Sequence, residues 1–484
     1  MNYKLIGRIV ALILAVEGFF MLPSLVLCIV DGESGSAWAV LYTIVAILAA
    51  ALILFLICRK ADKSFHAREG VVCTGLCWIV MSLFGCLPFV ISGYIPNYID
   101  ALFEIVSGFT TTGASILSDV EVLPRGLLYW RSFTHWLGGM GVLVFVLAVV
   151  PISGRNDGST MHLLRAESPG PDVGKLVPRM RQTAMILYLL YILLTVLNLV
   201  FLLLGKMDPF EAVCTAIGTA GTGGFGIKND SMASYSPYIQ NVTTIFMYLF
   251  GINFSCYYLL LLGKVRRVFK DEELRLYLIV FAVAVLLIVL DLRGFYDTLG
   301  ETIRHAAFQT ATVMTTTGFA TTDFDLWPSF SKTVMLCLMF VGASAGSTGG
   351  GMKYGRVILL AKVLRRNIRQ TLYPNRVLAV HVNEAPVDEK VLKALYGYLI
   401  AYFALLVASF LIISLDGYSI GTNLSAAISC LNNIGPGLES VGPTCNYGGY
   451  SAVSKLVLIA EMLAGRLEIF PIIVLFSPST WRQR

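Results

Sequence analysis

The apolar positions of this chain come in blocks rather than stripes. Hydrophobic runs lie at about residues 5–30, 37–58, 71–94, 127–151, 183–204, 238–262, 276–292, from 330 onward, 394–415 and 453–477. Each is long enough to cross about 30 Å of hydrocarbon as a helix. Shorter apolar stretches stand between them, at 97–109, from Pro209, at 299–314 and at 422–432. At roughly a dozen residues these are too short to span and read as re-entrant half-helices. Each runs into a small, polar loop: Thr110-Thr111-Thr112-Gly113, Thr222-Gly223-Gly224, Thr315-Thr316-Thr317-Gly318 and Asn433-Ile434-Gly435. The order span, half-helix, loop, span thus recurs four times at intervals of roughly 100 residues. Aligned on Gly113, Gly224, Gly318 and Gly435, two columns stay small. Two residues upstream stand Thr111, Thr222, Thr316 and Asn433; six upstream stand Ser107, Gly218, Thr312 and Ser429.

Composition excludes a soluble domain. Of the 484 residues 56% are hydrophobic and 14% charged, against a charged share of about a quarter in soluble proteins. The expected fold class is an all-α polytopic membrane protein with ten full spans and four re-entrant half-helices. The N-terminal run, preceded by Lys4 and Arg8, is kept as the first span because no convincing cleavage site follows. The expected units are a two-span segment, 1–69, and four repeats, 70–180, 181–270, 271–380 and 381–484. The ten cysteines show no CxxC pair and read as small packing residues, with Cys445 a free thiol in a loop.

Charge sets the orientation. Every Lys and Arg falls on one side of the expected topology except Arg125, Arg131, Lys206, Lys228, Arg293, Arg304, Lys332, Lys455 and Arg466. Positive-inside bias then places both termini in the cytoplasm and the four loops outward. The net charge of +6 is therefore no pointer to nucleic acid. Asp100, Glu104, Glu121, Asp208, Glu211, Asp230, Asp323 and Asp325 lie on the outer side and predict an acidic vestibule that concentrates cations.

Non-helical backbone is tolerated at membrane depth only where protein buries it or it lines a water-filled path. Four equivalent loops around one axis meet that condition. Glycine permits the positive φ that turns successive carbonyls one way, and a ring of carbonyls can replace the hydration shell of an alkali cation. Each half-helix points its negative end at the loop. No acidic residue lies within three positions before any of the four glycines, which disfavours Ca²⁺, an ion that recruits carboxylates.

The four-fold unit resembles the Trk/Ktr/HKT family of potassium transporters, from about residue 70 to the end. The resemblance rests on SGFTTTGAS (107–115), WLGGMGVLVF (136–145), TTTGFATTDF (315–324), AGSTGGGMKYGR (345–356), NIGPG (433–437) and AGRLEIFPIIVLF (464–476). The two extra N-terminal spans are more similar to the Trk branch than to the Ktr branch. The resemblance implies potassium uptake across the cell membrane through a filter of Thr111, Thr112, Gly113, Thr222, Gly223, Gly224, Thr316, Thr317, Gly318, Asn433, Ile434 and Gly435. Gly221, Gly223 and Gly226 leave the register of the second loop open by one residue, and the fourth loop, lacking Thr, makes the ring asymmetric. A Na⁺-selective or Na⁺-coupled transporter of the same fold is the alternative. The resemblance further implies a lipid-embedded homodimer controlled by a separate cytosolic RCK-type, TrkA-like regulatory subunit. Nucleotide would bind only through that subunit, with K⁺ as transported ion and no cofactor held covalently.

Gly342 to Gly351 contains nothing larger than Thr. Close helix packing is one reading of so many small residues. Three consecutive glycines, each costing a helix about 1 kcal/mol relative to Ala, favour a break instead. Gly346, Ser347, Thr348, Gly349, Gly350 and Gly351 are therefore gate candidates, at the position of the family's intramembrane gating loop. Arg466 is the second candidate, since a central Arg needs a partner or water. Glu461 and Glu468, five before and two after, do not share its helical face. Arg466 and Gly349 each stand 31 residues beyond their own glycines (466−435 and 349−318), which predicts one depth for both. Removing Arg466 or deleting loop glycines is expected to raise basal flux without altering ion preference.

Other motifs carry less. Gly221 to Gly226 satisfies GxGxxG but follows a half-helix rather than a strand. In the P-loop-like run from Gly346, Met352 separates Gly351 from Lys353. His135 reads as an interfacial or packing residue rather than a metal ligand, and Asn241 as a bare glycosylation sequon. A membrane-embedded enzyme would have to draw on Glu17, Glu461, Arg466 and Glu468, so no catalytic residue is assigned.

Overall fold

The computed structural model describes residues 1–59, 67–139, 141, 180–376 and 378–481. Six of the predicted spans are helices long and apolar enough to cross a membrane: Tyr3–Val30, Ser34–Ile57, Arg68–Ser92, Ala184–Leu204, Glu272–Asp291 and Glu389–Asp416. Their outer faces carry exposed Leu52, Ile57, Leu193, Ile279, Leu286, Ile400 and Leu411. Such a surface is stable against lipid, where an apolar side chain loses nothing by staying exposed to acyl chains.

The helices that follow the four loops depart from the expected ten continuous spans. Pro237–Phe250 and Phe254–Leu261 meet at 88°. Ser329–Val341 and Tyr354–Leu372 are separated by the glycine-rich run, and Ala452–Arg466 and Phe470–Phe476 by a turn in which Glu468 and Ile469 both have positive φ. Arg125–Gly139 is described to its end, and the remainder of the predicted 127–151 span, apart from Gly141, lies outside the described residues. Only the interruption at 342–351 was expected. The others sit where a helix passes the inner end of a half-helix, and at Gly138 and Gly465 glycine lets backbone touch backbone. A Cβ on Gly138 would enter the carbonyl of Phe109, and one on Gly465 the carbonyl of Leu431.

The half-helices are Tyr98–Phe109, Pro209–Gly221, Leu299–Met314 and Ile420–Asn432, within two residues of the predicted bounds. Each starts from a side-chain cap. Asn97, Asp208, Thr298 and Ser419 accept from amides of the first turn, satisfying donors a buried helix end would otherwise orphan. Glu211 and Glu301 stand three residues after their caps, as in a capping box. Lengths of 12, 13, 16 and 13 residues give about 18–24 Å at 1.5 Å per residue. All four therefore end inside the protein.

The N-terminal helices pack on the outside of this assembly, where Ser24 Oγ donates to Gly126 O at 2.7 Å. A two-stranded hairpin, His381–Val382 with Ala385–Pro386, was not expected. Its turn residue Asn383 bonds Asp271 Oδ2 (2.8 Å) and the Glu272 amide (3.0 Å), tying it to the start of Glu272–Asp291.

Candidate functional site

Each half-helix ends in the same backbone turn. The residue two before the glycine is left-handed: Thr111 at φ 55°, Thr222 at 51°, Thr316 at 57° and Asn433 at 56°. The glycines follow at 80°, 77°, 93° and 102° for Gly113, Gly224, Gly318 and Gly435. Between them, the amides of Thr112, Gly223, Thr317 and Ile434 donate five residues back to Ser107 (2.9 Å), Gly218 (3.0 Å), Thr312 (2.8 Å) and Ser429 (2.9 Å). This is a Schellman ending, and the small column six before the glycine supplies its acceptors. A left-handed L-residue costs about 1–2 kcal/mol. Three β-branched threonines held there mark a turn imposed by its surroundings, as at functional sites. Asn433 tolerates the conformation better, so the fourth loop keeps the backbone of the others and differs in side chains. The same φ pattern aligns Gly224, not Gly223, with the other three glycines.

The four loops meet head to tail. A Cβ on Gly113 would collide with Gly223 O, one on Gly224 with Thr317 O, one on Gly318 with Ile434 O (2.5 Å), and one on Gly435 with Thr112 O (2.6 Å). Each glycine thus abuts the carbonyl just before the next glycine, and the fourth returns to the first. All four border one pocket of about 120 Å³. Its charged lining residues are Arg131 and Lys228, with no carboxylate among the described residues. The acids expected to form a vestibule do not border this pocket, and most of them have structural partners. Asp100 pairs with Lys455 (2.6 Å), Glu211 with Lys228 (3.4 Å) and Asp325 with Lys332 (3.7 Å). Asp208 and Asp323 cap helices. Glu104, fully buried, holds Arg131 Nε at 2.6 Å and accepts from Ser115 Oγ and the Ile116 amide.

Side chains brace the loops. Thr110 Oγ1 donates to Val106 O (2.6 Å) and meets Thr112 Oγ1 (2.8 Å); Thr315 repeats this with Ala311 O (2.7 Å) and Thr317 (2.7 Å). That is what the first and third TTTG sequences share. Asn433 Nδ2 reaches Thr112 Oγ1 (3.0 Å) and Met462 O (2.9 Å), joining the fourth loop to the first. Outside the loops, hydrogen bonds from the Ser419 and Thr422 hydroxyls hold the Glu439 carboxyl below its ordinary range. Sequence reasoning undervalued His135, which is fully buried between the first two loops. Its ring occupies the space beside Gly223 and its main-chain carbonyl the space beside Gly221, which accounts for those glycines by contact rather than by conformational freedom.

The glycine-rich run packs directly against the inner ends of the loops. The Gly350 amide donates to Thr316 Oγ1 (2.7 Å), and Thr348 Oγ1 donates to Phe250 O (3.2 Å). Glu273 Oε1 accepts from Ala345 N (2.8 Å) and Gly355 N (2.9 Å), clamping both ends of the run, while Lys353 Nζ bonds Gly349 O. Ser347 Oγ closes a turn on Ser344 O (2.6 Å). Gly346 and Gly351 have φ of 71° and 80°. Arg466 sits against this run: Nη1 donates to Thr348 O (2.7 Å), and Nη2 to Gly139 O (2.7 Å) and Gly138 O. The guanidinium thus joins the ends of Arg125–Gly139 and Ala452–Arg466 to the glycine-rich run at one level. Glu468 pairs with Arg356 instead.

The chain matches the family model described as "TrkH: Cation transport protein" over residues 37–483. It is 36% identical over 491 residues to the Trk system potassium uptake protein TrkH of Salmonella typhimurium, with 100% of both chains covered. It is 32% identical to the Trk system potassium uptake protein TrkG of Escherichia coli, covering 88% of this chain and 87% of that protein. The crystal structure of the potassium transporter TrkH from Vibrio parahaemolyticus has 31% identity and a TM-score of 0.88 over 100% of both chains. By sequence and fold, this chain belongs to the TrkH family of cation transport proteins.

Proposed function

We propose that the chain is the membrane-embedded potassium-uptake subunit of a Trk-type system, passing K⁺ through the ring of four loops. The observation that carries this reading is the closed head-to-tail contact of Gly113, Gly224, Gly318 and Gly435. Carbonyl oxygens around one opening substitute for the hydration shell of a monovalent cation, and four half-helix C-termini add negative potential. A lining free of carboxylates, among the described residues, suits K⁺ better than Ca²⁺. In this reading Thr111, Thr112, Thr222, Gly223, Thr316, Thr317, Asn433 and Ile434 complete the filter. Repeats 70–180, 181–270, 271–380 and 381–484 each supply one quadrant, beside the segment 1–69.

The run Gly346–Gly351 and Arg466 form the gate on the inner side. Both termini are cytoplasmic, which puts the basic Lys353–Arg376 segment where a regulatory subunit can reach it. The working unit is a homodimer bound to a cytosolic RCK-type, nucleotide-binding ring of the TrkA kind. A purified protein that stays monomeric in mild detergent and binds no such subunit would contradict this assembly. Transport is tested by flux into liposomes with K⁺, Rb⁺ and Na⁺. K⁺ and Rb⁺ should enter well above Na⁺; equal entry of all three overturns the selective filter, and K⁺ entry that requires Na⁺ replaces it with a coupled transporter.

A further inference from the structure

We infer that His135 is a positioning residue for ion selection, holding the first and second loops at a set separation. The inference rests on the four loops being the filter. His135 lies on Arg125–Gly139, with no exposed surface. Its Nδ1 stands 2.7 Å from Gly108 O, in the last turn of the first half-helix. Its Nε2 accepts from the Phe225 amide, immediately after Gly224, at 3.2 Å. A carbonyl only accepts and an amide only donates, so the proton sits on Nδ1, and a neutral imidazole satisfies both partners. One ring therefore links the end of the first half-helix to the second loop by one donated and one accepted hydrogen bond.

The surroundings hold this ring in place. Its centroid is 4.2 Å from that of Phe225. Arg131, itself anchored to Glu104, lies 3.5 Å over the same Phe225 ring and donates to Gly226 O at 2.9 Å. Gly223 has no room for a Cβ because the imidazole fills it, and Gly221 none because the His135 main-chain carbonyl does. The consequence reaches the ring of carbonyls. Gly108 O also receives the Thr111 amide (3.1 Å), so it anchors the first left-handed residue. Gly223, pressed against the imidazole, carries the carbonyl that abuts Gly113. Moving the imidazole changes the distance between these two loops where the first glycine meets the second loop's carbonyl.

The test uses full-length protein in liposomes and reads the K⁺/Na⁺ permeability ratio, which a packing role would leave alone. His135→Met keeps bulk but removes both hydrogen bonds. His135→Gln restores one donor and one acceptor. The Met variant should lower the ratio roughly three- to tenfold, the scale of one or two lost buried hydrogen bonds. The Gln variant should return the ratio close to wild type. A wild-type ratio in the Met variant, or equal loss of K⁺, Rb⁺ and Na⁺ flux at an unchanged ratio, overturns the inference. Should the Met variant fail to fold, His135→Asn decides. Its shorter amide serves Gly108 O but does not reach Phe225, so a reduced ratio supports the role and a wild-type ratio overturns it. Gly113→Ser, run in parallel, separates the two readings. A shifted ratio there with an unshifted His135→Met ratio removes His135 alone, whereas unshifted ratios in both remove the filter assignment and the His135 role with it.

Discussion

Serine at Gly113 or Gly318 should cut the preference for K⁺ over Na⁺ by about tenfold or more, at least about 1.4 kcal/mol of discrimination. Two effects act together at these positions. The backbone lies at φ 80° and 93°, which an L side chain adopts only at a cost of about 1–2 kcal/mol. The new Cβ would also meet a main-chain carbonyl, Gly223 O for Gly113 and Ile434 O for Gly318. Those oxygens belong to the proposed coordinating ring, so relief of the clash moves the groups that select the ion. A carbonyl yields less readily than a side-chain tip, because the amide of its own residue, Gly223 or Ile434, is held by a Schellman bond. Relative permeabilities from reversal potentials or competing fluxes give the answer. An unchanged ratio in both variants removes these glycines from the filter.

Arg466→Ala should raise basal K⁺ flux at least tenfold. A fixed positive charge some 4–8 Å from a passing cation costs it about 2–4 kcal/mol at an effective dielectric near 20. Arg466 also holds the glycine-rich run in place through Thr348 O, and spans to Gly138 and Gly139. Its loss therefore removes both the repulsion and one tether of the obstruction. Shortening the run by deleting Gly349 and Gly350 should raise flux too, and the double variant should give less than the product of the two increases if one barrier is shared. The contacts alter one expectation drawn from sequence. Gly350 bonds Thr316 Oγ1, so the deletion should lower K⁺ preference, while Arg466→Ala should leave it alone. Basal flux at the wild-type level in folded Arg466→Ala would make Arg466 a structural residue rather than part of the gate.

The half-helices and their loops were legible because each is bounded by residue types that backbone geometry demands. Caps such as Asp208 and Thr298 open them, and small acceptors such as Ser107 and glycines such as Gly113 close them. The shared level of Arg466 and the glycine-rich run was readable for a similar reason, since equal spacing from two filter glycines implies equal depth when the connecting turns match. The broken helices were not legible. Hydropathy sees 238–262 as one apolar block, and at its bend Gly251 packs against the side chains of Tyr277 and Thr315, both remote in sequence. Partnerships were hidden in the same way. His135 meets Phe225 90 residues away, and Asp100 meets Lys455 355 residues away. A single sequence shows the charges and polar rings but not which of them are already used. The acidic vestibule was inferred from residues whose carboxylates turn out to be engaged within the fold.

The central claim is that the four loops form one K⁺-coordinating ring. Anomalous diffraction from crystals grown in Rb⁺ tests it most directly, because Rb⁺ replaces K⁺ and is located without reference to the protein model. The account predicts an anomalous peak on the axis encircled by the carbonyls of Thr112, Gly223, Thr317 and Ile434. A Rb⁺ peak elsewhere along the permeation path with none at that ring, at a Rb⁺ concentration that supports flux in liposomes, would contradict it.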